Sequence, residues 1–142
     1  SLACGLSTSL ALLVLCRDEA FRREMAELPP TWWESLEGAP LLQGVLDAEG
    51  DEGAIPPEAL AQLRHFEATW APKDEADLLP ERALQKLELD YVQRELQQLQ
   101  RQFREPAVMA DASLQDKLGK RAQSFLERKG ELTRLLRTRS RA

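Results

Sequence analysis

Residues 79–105 run without a glycine until Pro106 ends them, so they read as one long helix. At 100° per residue the apolar side chains form two stripes rather than one. Leu84, Leu87 and Tyr91 fall on one side, and Leu89, Val92, Leu96, Leu99 and Phe103 fall roughly 140° away. Two stripes at different heights call for two partners. The early stripe is expected to face a bundle built from the preceding chain, and the late one a helix that follows.

After Pro106–Ala112, Ser113 is placed to cap a last helix with Leu114, Leu118, Ala122, Phe125, Leu132 and Leu136 along one side. Folded back antiparallel, Phe103 would meet Leu114, Leu99 would meet Leu118 and Val92 would meet Phe125, giving an αα-hairpin on one apolar seam. Leu126 falls at the edge of that seam and Leu135 nearly opposite it. Buried, each would contribute about 1.5–3 kcal/mol. In water they contribute little, which marks both as candidate contacts for another molecule.

The rest of the chain is read as helical too, because no segment shows the period-two alternation of a strand. Ser7, Thr8 or Ser9 can cap a first helix through Leu10, Leu13 and Val14, interrupted at Arg17-Asp18. Asp18 can cap a second helix bearing Phe21, Met25 and Leu28, stopped by Pro29-Pro30. A short helix is expected around Trp32 to Leu36. Pro40 opens another with Leu41, Leu42, Val45 and Leu46, and Pro56-Pro57 start one with Leu60, Leu63, Phe66 and Trp70. Ala71 to Asp77 reads as a polar connector. The expected architecture is all-α: a helical bundle over 1–88 and a helical hairpin over 89–142 that continues from the long helix 79–105. A bend near Glu88 to Asp90 is compatible with the two stripes.

Composition fits this scheme. With 142 residues, 43% of them apolar, the chain has enough for a core, since a compact domain of about this size buries roughly 68–70% of its unfolded surface. Nineteen Lys and Arg stand against 24 Asp and Glu, a net charge of −5, which disfavours a general nucleic-acid coat. The charge is unevenly placed. Residues 1–105 hold 10 basic and 20 acidic side chains, while 106–142 hold 9 basic and 4 acidic. An acidic body and a basic tail point to two parts with separate work.

Few chemistries are open to these residues. Cys4 and Cys16 form no CxxC pair and His65 is the one histidine, so a disulfide scaffold and a Cys/His zinc site are excluded. Cys16 reads as a small core hydrophobe of a reducing compartment. Leu10 to Cys16 is too short to span a bilayer and no basic leader precedes Arg17; a soluble, cytoplasmic protein is expected. The acidic loop from Asp47 resembles a calcium loop only loosely. Its glycine and aliphatic sit at the seventh and ninth positions rather than the sixth and eighth, so it reads as solvated. His65 has no ligand-type neighbour at the right spacing. No phosphate loop, nucleophile elbow or HExxH occurs. The fragment is expected to be non-catalytic, to need no cofactor or metal, and to be monomeric alone. Trp32-Trp33 and Trp70 read as packing residues, since Glu34 and Glu37 beside the first pair would repel phosphate.

The basic tail comprises Lys117, Lys120, Arg121, Arg128, Lys129, Arg134, Arg137, Arg139 and Arg141. Three readings stand: a solvated face that complements the helix dipole, a nucleic-acid contact, or a dock for an acidic partner while Leu126 and Leu135 enter a groove.

The order of elements shifts that balance. Leu10, Leu12, Leu13 and Leu15 lead into the break Arg17-Asp18-Glu19, then a helix with Phe21, a Pro-rich turn, small helices, a long helix with Leu84, Leu87, Leu96 and Leu99, and a terminal hairpin. From about Leu10 to Leu136 this arrangement resembles the C-terminal helicase-binding domain of bacterial DnaG-type primases. The resemblance implies a bundle that modulates the replicative hexameric helicase and a hairpin, here Leu89 to Phe103 and Leu114 to Arg139, that attaches to its N-terminal domains. The parent protein would then be a primase, a DNA-directed RNA polymerase, with its zinc-binding and polymerising parts upstream. The helical wheel assigns the helicase contact to Leu126, Lys129, Arg134, Leu135 and Arg137. Alternatives are the N-terminal domain of the helicase itself, which has a similar bundle and hairpin, and a module that binds single-stranded nucleic acid. Ser1 in place of Met reads as the start of a piece of a longer protein, and the short tail after Leu136 as its natural end, which favours the primase.

Overall fold

The helices are set by their caps and breakers. In the computed structural model, which describes residues 12–13, 15–36, 38–69 and 79–140, Leu12, Leu13 and Leu15 are helical and the turn ends at Cys16. Asp18 then caps α1 (Glu19–Glu27), its Oδ1 accepting from the backbone N–H of Ala20 at 2.7 Å and of Phe21 at 3.4 Å. This satisfies donors that a helix start leaves open. Phe21 and Met25, one turn apart, bury the same face. Pro29 and Pro30 prevent continuation, and a 3-10 turn follows over Pro30–Trp32. It is shorter and earlier than the helix expected around Trp32 to Leu36, because Pro30 sets its first φ while Trp33 already leaves helical geometry.

Gly38, at φ 88°, enters α2 (Ala39–Asp47), which buries Ala39, Leu41, Leu42 and Val45. Glu49 (φ 50°) and Gly50 (φ 91°) make the left-handed reversal after it. The acidic loop then closes on itself: Asp51 Oδ1 accepts from Gly53 N at 2.9 Å, and Glu52–Ala54 form a 3-10 turn. Ile55 is buried beyond it, before α3 (Pro57–Thr69) and α4 (Pro80–Phe103). Last come the short α5 (Pro106–Met109) and α6 (Ala112–Ser140). The protein is all-α, and no strand occurs among the described residues.

The chain divides into two compact units, residues 1–87 and 88–142. The first is built on one apolar cluster, with Leu12, Met25, Leu42 and Leu87 at 0% exposure as its most deeply buried members. Trp33 is buried in that cluster, and Trp32, Leu60 and Leu84 pack against it. Both tryptophans therefore serve packing. Cys4, the caps at Ser7 to Ser9, Trp70, the connector 71–77 and Arg141 lie outside the described residues.

In the second unit α6 runs antiparallel to the second half of α4. Arg128 meets Glu88, Phe125 meets Tyr91 and Arg121 meets Glu95, so that each step forward along α4 is matched by an equal step back along α6. Val92, Leu99 and Leu132 are buried here. Two expectations are corrected. The helical wheel puts Tyr91 in the bundle-facing stripe with Leu84 and Leu87, but its ring meets Phe125 edge-on at 6.2 Å and 77°, the place expected for Val92 one residue on. Glu88 and Glu95 lie between the two stripes, and the ion pairs they form turn that sector toward α6. The cap of α6 is Asp111, not Ser113: its Oδ1 accepts from Leu114 N at 3.0 Å. Gln115 secures the same corner by donating to the carbonyls of Val108 and Met109 at 3.0 and 2.8 Å.

Candidate interaction surface

Three cations of α6, Lys120, Arg121 and Arg128, are answered by carboxylates within the unit. Arg128 binds Glu88 in a bidentate fork, Nε and Nη2 each 2.6 Å from a carboxylate oxygen, and Nη1 lies 3.2 Å from Glu131. The hydrogen bonds that Arg128 donates to Glu88 hold the guanidinium more firmly protonated than a free one, against a smaller opposing effect of lost hydration. Arg121 reaches Glu95 at 3.2 Å and lies 5.6 Å from the centre of the Phe125 ring. Lys120 pairs with Asp116 one turn back at 3.2 Å. Lys129 and Arg137 stand apart from this ladder, with no carboxylate within 4 Å among the described residues.

Beside the ladder the two helices leave an open groove of about 520 Å³. Leu96, Leu99 and Phe103 of α4 form one wall, and Ala122, Leu126 and Lys129 of α6 the other. Gln93, Gln97 and Gln100 rim it with neutral amides. Leu126 is 53% exposed at the groove, one of few large apolar side chains so placed among the described residues. Ala122, Leu126 and Lys129 sit at steps of four and three, so one side of the helix carries them all. Eleven residues beyond Leu126, Arg137 returns to nearly the same direction.

Of the five residues assigned from the helical wheel, the structure brings Leu126 and Lys129 together in the groove. Arg137 is exposed on the same side of α6 but does not line it, and Arg134 is exposed farther round. Leu135 is half-buried rather than open to water, and half a turn of the wheel away from Leu126. The wheel does not reveal the groove's α4 wall or its glutamine rim. The signal is present in the run Gln97-Gln98-Leu99-Gln100, where amides alternate with an apolar anchor beside an otherwise charged helix.

The described residues hold no group of three or more His, Cys, Asp or Glu placed to bind a metal ion, and no helix among them is long and apolar enough to cross a membrane. His65 is exposed on α3. Cys16 is buried, and burial pushes its thiol up to about 12 against a smaller opposing pull from Arg22. It is thereby a neutral core group, not a nucleophile. What the second unit offers chemically is a recognition surface: an apolar slot, amide hydrogen-bonding groups at its rim and uncommitted positive charge beside it. No family model, curated protein or solved structure matches this chain.

Proposed function

We propose that residues 88–142 are a protein-docking module, and that the chain is the helicase-binding part of a bacterial primase which tethers primer synthesis to the replicative hexameric helicase. The observation that carries this reading is Leu126, exposed at the mouth of an apolar groove while Lys129 beside it lacks an acidic partner among the described residues. A helix of another protein, apolar on one side and acidic at its margin, complements such a surface. The order of helical elements, which resembles that of primase helicase-binding domains, supports a replicative helicase as the partner.

Energetics favour this over direct nucleic-acid binding. Arg121, Arg128 and Lys120 are already paired with carboxylates, so these three are less available to release counterions from a phosphate backbone. A micromolar contact needs about −8 kcal/mol net. One apolar anchor in a groove, its neighbours and one or two charge-assisted bonds meet that figure after ordering costs. Tethering then raises the effective concentration of the synthesising part at the fork without new chemistry.

Co-elution with the cognate helicase ring on a sizing column is the test. Wild-type protein is expected to bind, Leu126→Ala to bind at least tenfold more weakly, and Leu135→Ala to bind less weakly than Leu126→Ala because Leu135 is half-buried outside the groove. Unchanged affinity for Leu126→Ala, with helicity intact, would refute the proposal.

A further inference from the structure

The groove of the second unit specifies its occupant more closely than the docking reading, on which this inference rests, requires. Its α4 wall runs from Gln93 to Phe103, about 15 Å at 1.5 Å per residue, or roughly three helical turns. That length sets the segment that can lie in it. An extended strand is disfavoured by its own backbone. The N–H and C=O groups of α4 and α6 are spent within those helices, so a strand laid between them would lose water from its backbone groups without replacement. A helix satisfies these groups internally and presents only side chains.

The polar groups are spread unevenly along this length. Gln93, Gln97 and Gln100 follow one edge at steps of four and three, so the partners offered along the flank are neutral amides, each both donor and acceptor. Serine, asparagine or glutamine meets them on both counts, whereas a carboxylate only accepts. Lys129, the one cation lining the groove among the described residues, stands at a single end. Arg128 beside it pairs with Glu88 and Arg121 with Glu95, which puts Lys129 at the Gln93 end and leaves Phe103 at the other. Lys129 is half-buried, so a carboxylate brought to it would form its bond partly out of water, where such bonds are strong. No Asp or Glu lines the groove among the described residues. A second copy laid groove to groove therefore brings no acid to answer Lys129.

We infer that the groove takes a three-turn amphipathic helix of a partner protein, with leucine-like side chains against Leu96, Phe103 and Leu126, neutral amides or hydroxyls along its flank beside the glutamines, and one carboxylate at the end that meets Lys129. Fluorescence anisotropy of the full 142-residue chain with three kinds of synthetic helix tests it. All are stapled to equal helicity and share one leucine stripe. The first has a glutamine flank and a glutamate at one end, made in two versions with the acid in the first or the last turn. The second replaces that glutamate by glutamine, and the third moves it to the middle of the flank. The better version of the first should bind at least fivefold tighter than the second and the third, because a charge-assisted bond is stronger than a neutral one. Lys129→Gln should abolish that advantage and leave the affinity for the second unchanged, and Leu126→Ala should weaken all three. Equal affinity for the first and second in the wild-type protein, a third as tight as the first, or no saturable binding of any overturns the inference without recourse to a variant. A chain that elutes as a dimer alone and as a monomer with the first helix assigns the groove to a second copy and overturns it as well. The helicase ring keeps the two readings apart. If it retains Leu126→Ala as tightly as the wild type while the synthetic helices are still discriminated, the docking reading fails and the groove's preference stands.

Discussion

Arg128 and Glu88, 40 residues apart in sequence, are joined by two hydrogen bonds of 2.6 Å each. Glu88 occupies the sector of α4 between its two apolar stripes, where helical periodicity predicts no contact at all. The same sector holds Glu95, bound by Arg121. The antiparallel register of α4 and α6 is therefore written twice, once by apolar residues such as Val92 and Leu99 and once by two acids of α4 facing two bases of α6. Charge fixes register more sharply than apolar packing does, because a slip of one residue swings a carboxylate 100° away from its guanidinium.

The pair's own contribution is modest. The Arg128 side chain is 39% exposed and that of Glu88 19%, so solvent screens much of the Coulomb term. A double-mutant cycle of Glu88→Gln and Arg128→Met in urea denaturation should give a coupling of about 1 kcal/mol. Raising the salt from about 0.1 to about 1 M should shrink it. A coupling indistinguishable from zero at low salt would mean that register rests on the apolar seam alone.

Glycines make a sharper contrast. Gly119 and Gly130 lie inside α6, and a methyl group added to either would have nothing within 4 Å, whereas Gly50 has φ +91° and Arg22 at 2.6 Å. Gly119→Ala and Gly130→Ala should each stabilise by about 0.5–1 kcal/mol through helix propensity. Gly50→Ala should destabilise by at least the 1–2 kcal/mol or so of a left-handed alanine. Denaturation midpoints that move in the same direction for Gly50 and Gly119 would contradict these assignments.

Much of the fold is legible in the sequence because it rests on local rules. Asp18 as a cap, Pro29-Pro30 as a stop and Pro106 as a break act on their own neighbours, and each needs no knowledge of the distant chain. The antiparallel return of α6 is legible from two apolar stripes of matching length. What the sequence hides depends on competition between neighbours. Asp111 and Ser113 are both competent caps, and the choice of Asp111 follows from Gln115 tying the carbonyls of Val108 and Met109, a consequence of how the whole corner folds. The wheel places Tyr91 within the early stripe, and the edge-on contact with Phe125 overrides that placement. For the candidate surface, Leu126 and Lys129 are readable from the wheel, but a groove is a property of two helices, so its α4 wall is not.

Leu132 is fully buried in the second unit, at 0% exposure. Its truncation leaves a cavity as well as losing transfer energy, so Leu132→Ala should cost about 2–5 kcal/mol. Leu126→Ala, at a residue 53% exposed, should cost under about 1 kcal/mol. Thermal melts of the two variants would separate a residue that holds the unit together from one available to a partner. Equal losses would place Leu126 in the core and remove it from the docking surface.

Cys16 links burial to pH. Its thiol is raised from an ordinary value of 9.0 to about 12 in the folded protein, chiefly by desolvation, with Arg22 opposing. In the unfolded chain the thiol deprotonates near its ordinary value, while in the folded chain it keeps its proton. Across that interval the folded state binds more protons, so stability falls as pH rises. The contribution is complete below about 9 and is lost progressively up to about 12, at most about 1.4 kcal/mol per pH unit. Cys16→Ala should lower stability at neutral pH by a constant amount for lost packing. The gap between it and the wild type should then close above about pH 9, because the variant has no thiol to titrate, and other alkaline groups cancel in the difference. Urea denaturation of both proteins from about pH 7 to about pH 10.5 measures this directly. Two curves that stay parallel throughout would show that the Cys16 thiol ionises as readily in the folded protein as in the unfolded chain.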